Sequence, residues 1–454
     1  MDKQNFDSDQ IKNAFSALQK MAMGQAAGKP AEPAQKSEDK EKPKKEKKEP
    51  KVILEAKGIF VLTDQAGKEI ESGLAKLVLD EEKISVSSEN GKATILMLNE
   101  ISDFSGADFK VVFSLAGGGK AVVSELGYEY DGFVESLTKL RHEVNQKEML
   151  MKEGGVKGSF EGNYSYKKNG EDKSGEAEVE ISDTGLVIKP KQGDLIRISF
   201  SEIGDFSAQD YAILITAESA EISLSGFGER FDSLNKAISE SLNELSLKTQ
   251  SIINQILPEL DPLAAKKASE LLKDGQAVNK EQIDNVSPAI WEGLEKKLAE
   301  MAIKESYDYL MSLSKTKQVF LGIKRDLMGD LTGEYIWFLV PISSGEIENF
   351  IVMEAASTVD GGGKASYIFK IPENEKIGDL VKKINRCMFA INFRREPIYL
   401  KEEDLEKPDY LKYKTAIEKI PELKLIRQIF AGRVVHSSPE EWKKNVNEII
   451  NKNK

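Results

Sequence analysis

The sequence has one cysteine, two histidines and no apolar run near the ~18–20 residues that cross a bilayer. Each scarcity excludes something. Cys387 alone rules out an intramolecular disulfide framework and any multi-cysteine metal site. His142 stands between Arg141 and Glu143 on what reads as the exposed side of a helix, and His436 precedes a helix cap. No feature brings the two together, so neither a histidine metal site nor a catalytic triad is expected. Positive charge is in deficit: 64 Lys and Arg against 76 Asp and Glu leave a net charge of −12, so no nucleic-acid partner is expected. The opening Met1-Asp-Lys-Gln-Asn5 is polar and lacks a signal-peptide core, which makes a cytoplasmic location the expectation.

What is present is a globular composition. Apolar residues make up 40% and charged residues 31% of 454, enough for three or four domains with charged connectors. The organising feature is a repeat. Glu100-Ile-Ser-Asp-Phe-Ser-Gly-Ala-Asp-Phe109 returns as Glu202-Ile-Gly-Asp-Phe-Ser-Ala-Gln-Asp-Tyr211, with strand-like runs before and after it and a helix at the end in both places.

Residues 1–24 contain an amphipathic helix over 8–24, in which Ile11, Phe15, Leu18 and Met21 share one face; alone it is too short to be stable, so these four are candidate partner-binding residues. Residues 25–51 are a charged linker without aromatic or large aliphatic side chains, and they read as disordered. In its Lys-rich part Glu41, Glu46 and Glu49 largely cancel the lysines.

Residues 52–152 are the first copy. Strands are expected at 58–62, 74–79, 83–86, 93–97, 109–113 and 120–124, with a hairpin turn at Asn90-Gly91. A helix follows with Tyr130, Phe133, Leu137, Leu140 and Val144 in one stripe. Residues 155–257 repeat the plan, with strands at 159–165, 177–181, 186–188, 195–200, 211–215 and 221–224. Their helix starts at Phe231-Asp232, as the first starts at Tyr130-Asp131.

Residues 258–316 read as a helical spacer: one helix runs up to a C-cap at Gly275, and another is opened by Ser287-Pro288. Residues 317–402 form an α/β module. Its Tyr335–Ile342 run is apolar throughout and implies burial on both faces. Two strands and a helix (Ile377, Leu380, Val381, Ile384, Met388, Ile391) follow it, which leaves a degenerate third copy as one reading. Residues 403–454 are a helical tail whose last helix opens at Ser438-Pro-Glu-Glu441.

The fold class is therefore α+β. Short antiparallel strands followed by one amphipathic helix suit a small sheet that curls around its own core and is plugged by the helix. On this order of elements, residues 52–148 and 156–257 resemble the pleckstrin-homology-like fold, which includes the GRAM and PTB modules. The resemblance implies two tandem barrels, each closed by its C-terminal helix. It also implies binding of phosphoinositide headgroups, peptides or proteins rather than catalysis, with no cofactor. Lipid-binding members use basic residues in the first hairpin loop, here Asp64–Glu69 and Lys167–Lys173.

Phe104 and Phe206 are expected in the core at a strand corner, with Asp103 and Asp205 accepting backbone N–H bonds. Cys387 reads as a buried thiol on an amphipathic helix. The Gly117–Lys120 and Gly361–Lys364 runs precede strands rather than helices, so they are hairpin loops and not phosphate loops. In Phe393-Arg-Arg-Glu-Pro-Ile-Tyr399, Arg394 and Arg395 are candidates for gripping a carboxylate or phosphate, against a local ion pair with Glu396. The expected function is a non-enzymatic scaffold working through protein contacts. The alternative is peripheral attachment to an anionic membrane surface through the first helix and the Lys-rich linker.

Overall fold

A computed structural model describes residues 51–453 apart from 90, 117, 149–154, 169, 218–219, 302, 326–333, 344, 346–347, 358–364, 406 and 408–409. The expected N-terminal helix, nearly all of its linker and the second glycine run lie outside the described residues. The described residues all belong to one compact unit, Pro50–Lys454.

The first copy folds as β1 (Val52–Thr63), β2 (Glu69–Asp80), β3 (Lys83–Ser88), β4 (Ala93–Met97), β5 (Ile101–Ala107), β6 (Lys110–Leu115), β7 (Lys120–Ser124) and α1 (Tyr130–Glu148). The second folds as β8 (Val156–Lys168), β9 (Glu171–Ser182), β10 (Gly185–Pro190), β11 (Ile196–Ser199), β12 (Ile203–Gln209), β13 (Ala212–Ala217), β14 (Glu221–Ser225) and α2 (Phe231–Ile256). Both are seven-stranded antiparallel sheets with matching orders, β4-β3-β2-β1-β7-β6-β5 and β11-β10-β9-β8-β14-β13-β12. Alternation sets the inward face: Ala75, Leu77 and Leu79 of β2 are buried, while Leu74 and Lys76 are exposed. Inward side chains from all seven strands of the first copy share one core, from Leu96 on one edge strand to Phe104 on the other, so the sheet curls. Phe133, Leu137 and Leu140 of α1 join that core. Leu234 and Ile238 of α2 do the same in the second copy.

Each copy has one strand more than the sequence suggests, and the extra strand is the repeated motif itself. β5 and β12 are edge strands with bulges between Ile101 and Asp103 and between Ile203 and Asp205. The motif is thus a bulged edge rather than a strand corner. Asp103 and Asp205 each accept the next residue's N–H, Phe104 and Phe206 respectively, at 2.9 Å. Phe104 is buried as expected; Phe206 is only partly buried, against the second core.

The remaining residues form a third sheet between two helical layers. Helices α3 (Pro262–Leu271), α4 (Lys280–Asp284), α5 (Pro288–Glu300) and α6 (Lys304–Leu313) precede or flank β15 (Val278–Asn279), β16 (Phe320–Arg325), β17 (Glu334–Ser343), β18 (Glu348–Ser357) and β19 (Ala365–Lys370). Then come α7 (Ile377–Ala390), α8 (Glu396–Tyr399), α9 (Glu402–Leu405), α10 (Leu411–Lys419), α11 (Pro421–Ile429), β20 (Phe430–Val435) and α12 (Pro439–Lys452). The sheet order is β15-β16-β17-β18-β19-β20, antiparallel at every pair. Ile336, Phe338 and Val340 of β17 face one core, shared with α3–α6 and α12. Trp337 and Leu339 face another, shared with α7–α11. The all-apolar run is buried on both sides, as its composition implied. Residues 258–316, expected as a spacer, form one layer of this sandwich, and the expected helical tail contributes the edge strand β20. Gly322 sits where a Cβ would stand 2.5 Å from the Gly275 carbonyl, which leaves room for Trp337 Nε1 to donate to that oxygen at 2.6 Å.

α2 ties the parts together. Its first half (Leu234, Ile238) lies in the second copy's core, and its second half (Ile252, Ile253) lies in the core of the third sheet.

Candidate functional site

The side of α1 that the sequence marks as solvent-facing is covered. Arg141 and His142, with Asn145 one turn further on, are all buried. They meet the β10–β11 loop, whose Gln192-Gly193 turn is followed by Asp194. Arg141 Nη1 donates to the carbonyls of Leu98 and Ile101, and Nη2 donates to both Asp194 oxygens at 2.8 and 3.1 Å. Asn145 Nδ2 donates to Asp194 Oδ1 at 2.9 Å, and Lys419 Nζ, at the end of α10, donates to Oδ2 at 2.6 Å. One carboxylate of the second copy therefore receives donors from the first copy and from the C-terminal helices. Burial works to raise the Asp194 pKa, but the Arg141 and Lys419 charges overcome it and hold it below the usual carboxylate range. Burial also holds the Lys419 ammonium below its ordinary value, with Asp194 pulling the other way.

His142 corrects the sequence reading: it is 6% exposed, with Nε2 2.9 Å from the Gly193 carbonyl. Burial lowers its pKa, more than the Gly193 bond and Asp194 raise it. The neutral ring then donates Nε2–H to that carbonyl.

Two clefts open beside this node. The larger, about 790 Å³, runs between α1 and strands β8–β10. Its walls mix acids (Asp131, Glu135, Glu143, Glu161) with Lys139, Lys189 and Lys191. Lys189 and Lys191 are already paired with Glu180 and Glu176. Small-molecule sites are mostly apolar with a few placed polar groups, and this lining is not of that kind. The smaller cleft, about 340 Å³, lies where the second copy meets α7, α10 and α11. Lys419 at its edge is already paired with Asp194; Lys168, Lys173, Arg197 and Arg386 still outnumber Glu202 and Glu422 there, a local cationic excess in an acidic chain. Glu422 lies 3.8 Å from Lys168 and 3.7 Å from Arg386. Burial pushes the Glu202 carboxyl up. Lys168 and Lys173 flank the second copy's first hairpin loop, so the structure gathers them with Arg197, which the sequence had left apart.

The other sequence candidates scatter. Ile11, Phe15, Leu18 and Met21 fall outside the described residues. Arg394 is partly exposed; Arg395 is buried, with its guanidinium 5.5 Å from the Tyr367 ring centre. Cys387 is fully buried, and burial pushes its thiol up, as for an inert core cysteine. His436 Nε2 is 2.9 Å from Glu354 Oε2, to which the buried Ser366 hydroxyl also donates. Ser366 Oγ accepts from Trp442 Nε1 at 2.9 Å, and the imidazole stacks on that indole. Here the carboxylate stands between serine and histidine, so the imidazole is not placed to take the hydroxyl proton. The arrangement instead fastens α12 to the sheet.

Sequence reasoning missed the tips of the two motif hairpins. Asp108-Phe109 and Asp210-Tyr211 both have positive φ, 51° and 57° in one and 51° and 59° in the other. Such two-residue turns favour Asn-Gly, yet both copies hold an exposed aromatic there, packed on the first aromatic of the helix, Tyr130 or Phe231. The signal was in the repeat, since Asp-Phe and Asp-Tyr close the two motifs.

Among the described residues no group of three or more His, Cys, Asp or Glu side chains is placed to hold a metal ion, and no helix is long and apolar enough to cross a membrane. The class these features define is an α+β protein in which two like seven-stranded sheets and a three-layer sandwich meet at a charged node. Scanned against protein-family models the chain matches no family, and no curated protein matches it.

Proposed function

We propose that the chain is a non-catalytic cytoplasmic scaffold, built on two tandem pleckstrin-homology-like domains and working through protein–protein contacts. The matching strand orders and the helix that follows each last strand, with its apolar stripe in the sheet's core, support that fold reading. The observation that carries the functional reading is the node at Asp194. It spends buried charge on fixing two similar domains and a third module in one relative position, which serves a body that presents several surfaces at set spacing. The cationic excess of the smaller cleft favours a second reading, attachment to an anionic membrane.

The test is a pull-down from the native host with the whole chain and with a chain lacking residues 1–24, run beside flotation with anionic vesicles of wild type and Phe15→Asp. The scaffold reading expects discrete protein partners, fewer without the first helix, and no flotation. Strong flotation by wild type that is lost in Phe15→Asp would replace it with the membrane reading.

A further inference from the structure

The two copies are each other's control. Strand register matches their outward faces position by position. In the first copy Ile59 stands opposite Leu74, Val61 opposite Val122, and Val122 opposite Val112. These five outward aliphatics run across β2, β1, β7 and β6, with Leu74 54% exposed and the other four partly so. They belong to none of the four apolar cores. At the same ladder positions the second copy has Asn163, Glu176, Ser165, Ser223 and Leu214. A fold that accepts four polar residues there does not need aliphatics, so those of the first copy answer to something outside it.

The rim changes in the same sense. Lys57, Lys76, Lys110 and Lys120 bracket the stripe, and all four are exposed. Their counterparts are Glu161, Glu178, Ala212 and Glu221. On the same face Glu55 pairs with Lys76 at 2.7 Å and Glu69 lies beside Ser72, which leaves the lysines in excess. The stripe crosses three interstrand spacings, roughly 14 Å, or about two and a half helical turns. The apolar stripe carries no aromatic, whereas surfaces that lodge in a membrane interface usually rely on Trp, Tyr or Phe. Two copies of this face brought together would oppose lysine to lysine.

We infer that the outer sheet face of the first copy docks an acidic amphipathic helix of a partner protein, its apolar side on Ile59, Val61, Leu74 and Val122 and its carboxylates against the lysine rim. The inference rests on the scaffold reading and names the chemistry of one partner.

The probe is a fluorescein-labelled synthetic helix with leucines at i, i+3, i+4 and i+7 and glutamates on its flanks, titrated by anisotropy against the full chain. A twin peptide carries lysines for the glutamates. One variant takes the second copy's residues, Ile59→Asn, Val61→Ser, Leu74→Glu and Val122→Ser; a milder one is Lys57→Glu with Lys120→Glu. Wild type is expected to bind the acidic helix about tenfold or more tighter than the basic one. The first variant should lose at least that factor and the second should reverse the preference, with folding checked by circular dichroism. Equal binding by wild type and both variants, or none by wild type, overturns the inference. So does flotation on phosphatidylserine vesicles, or self-association, that the first variant abolishes. The titration reads this face alone, so its failure leaves the scaffold reading to stand or fall by the pull-down.

Discussion

Replacing Asp194 is the sharpest probe of how the domains are held. Asp194→Ala leaves the guanidinium of Arg141, fully buried, and the ammonium of Lys419, 11% exposed, facing each other without the carboxylate between them. Removing one partner of a buried charge cluster costs about 3–5 kcal/mol, because the charges left behind are uncompensated. Asp194→Asn keeps the shape and one acceptor oxygen, and should cost about 2–3 kcal/mol. In a double-mutant cycle with Lys419→Met the two changes should couple by about 1–3 kcal/mol. The sign of the pH effect follows from the lowered pKa. The stabilisation is present above the unfolded carboxylate value of about 3.9 and is lost as pH falls through the lower folded value. Wild type and Asp194→Asn should therefore converge only below about pH 4. Urea unfolding gives the energies, and amide exchange locates them, with faster exchange expected in Leu411–Lys419 and in the loop around Gly193. A loss under about 1 kcal/mol for Asp194→Ala, with exchange unchanged, would refute the view that this carboxylate joins the modules.

Two further outcomes follow. Phe104→Ala should cost about 3–5 kcal/mol and Phe206→Ala about 1–2, because the first ring is buried and the second is part-exposed; equal costs in chemical denaturation would contradict the burial difference. His142 has a lowered folded pKa, so stability should decline as pH falls from about 6.5 through the folded value, and His142→Gln should flatten that decline in thermal melts between about pH 7 and 5.

Much of the fold could be read from the chain because repeated alternation leaves little choice. The strands at 93–97 and 120–124 and the helix starts at Tyr130 and Phe231 fall where the pattern puts them. β5 and β12 escaped because a bulge breaks the period of two: Ile101 and Phe104 both point inward though they are three residues apart. β20 escaped because Phe-Ala-Gly-Arg-Val-Val435 is short and lies between helices. The node escaped for another reason. Arg141, His142 and Asn145 lie on the polar side of an amphipathic helix, and Asp194 follows a glycine turn, positions where solvent is the default. Only the packing of one domain on another puts them in contact, and no local pattern encodes that. The outward faces of the two sheets were legible residue by residue, but their contrast needed the register.

The edge strand β20 bears on the order in which the protein can assemble during synthesis. Each seven-stranded sheet is encoded by one continuous stretch, so it can close once its own residues have left the ribosome. The third sheet cannot. β19 waits for a partner that lies beyond α7–α11, and until β20 emerges its edge offers unpaired N–H and C=O groups beside Tyr367 and Phe369. The C-terminal sandwich is thus the late-folding part of the chain, and the part most exposed to wrong strand pairing while translation is unfinished.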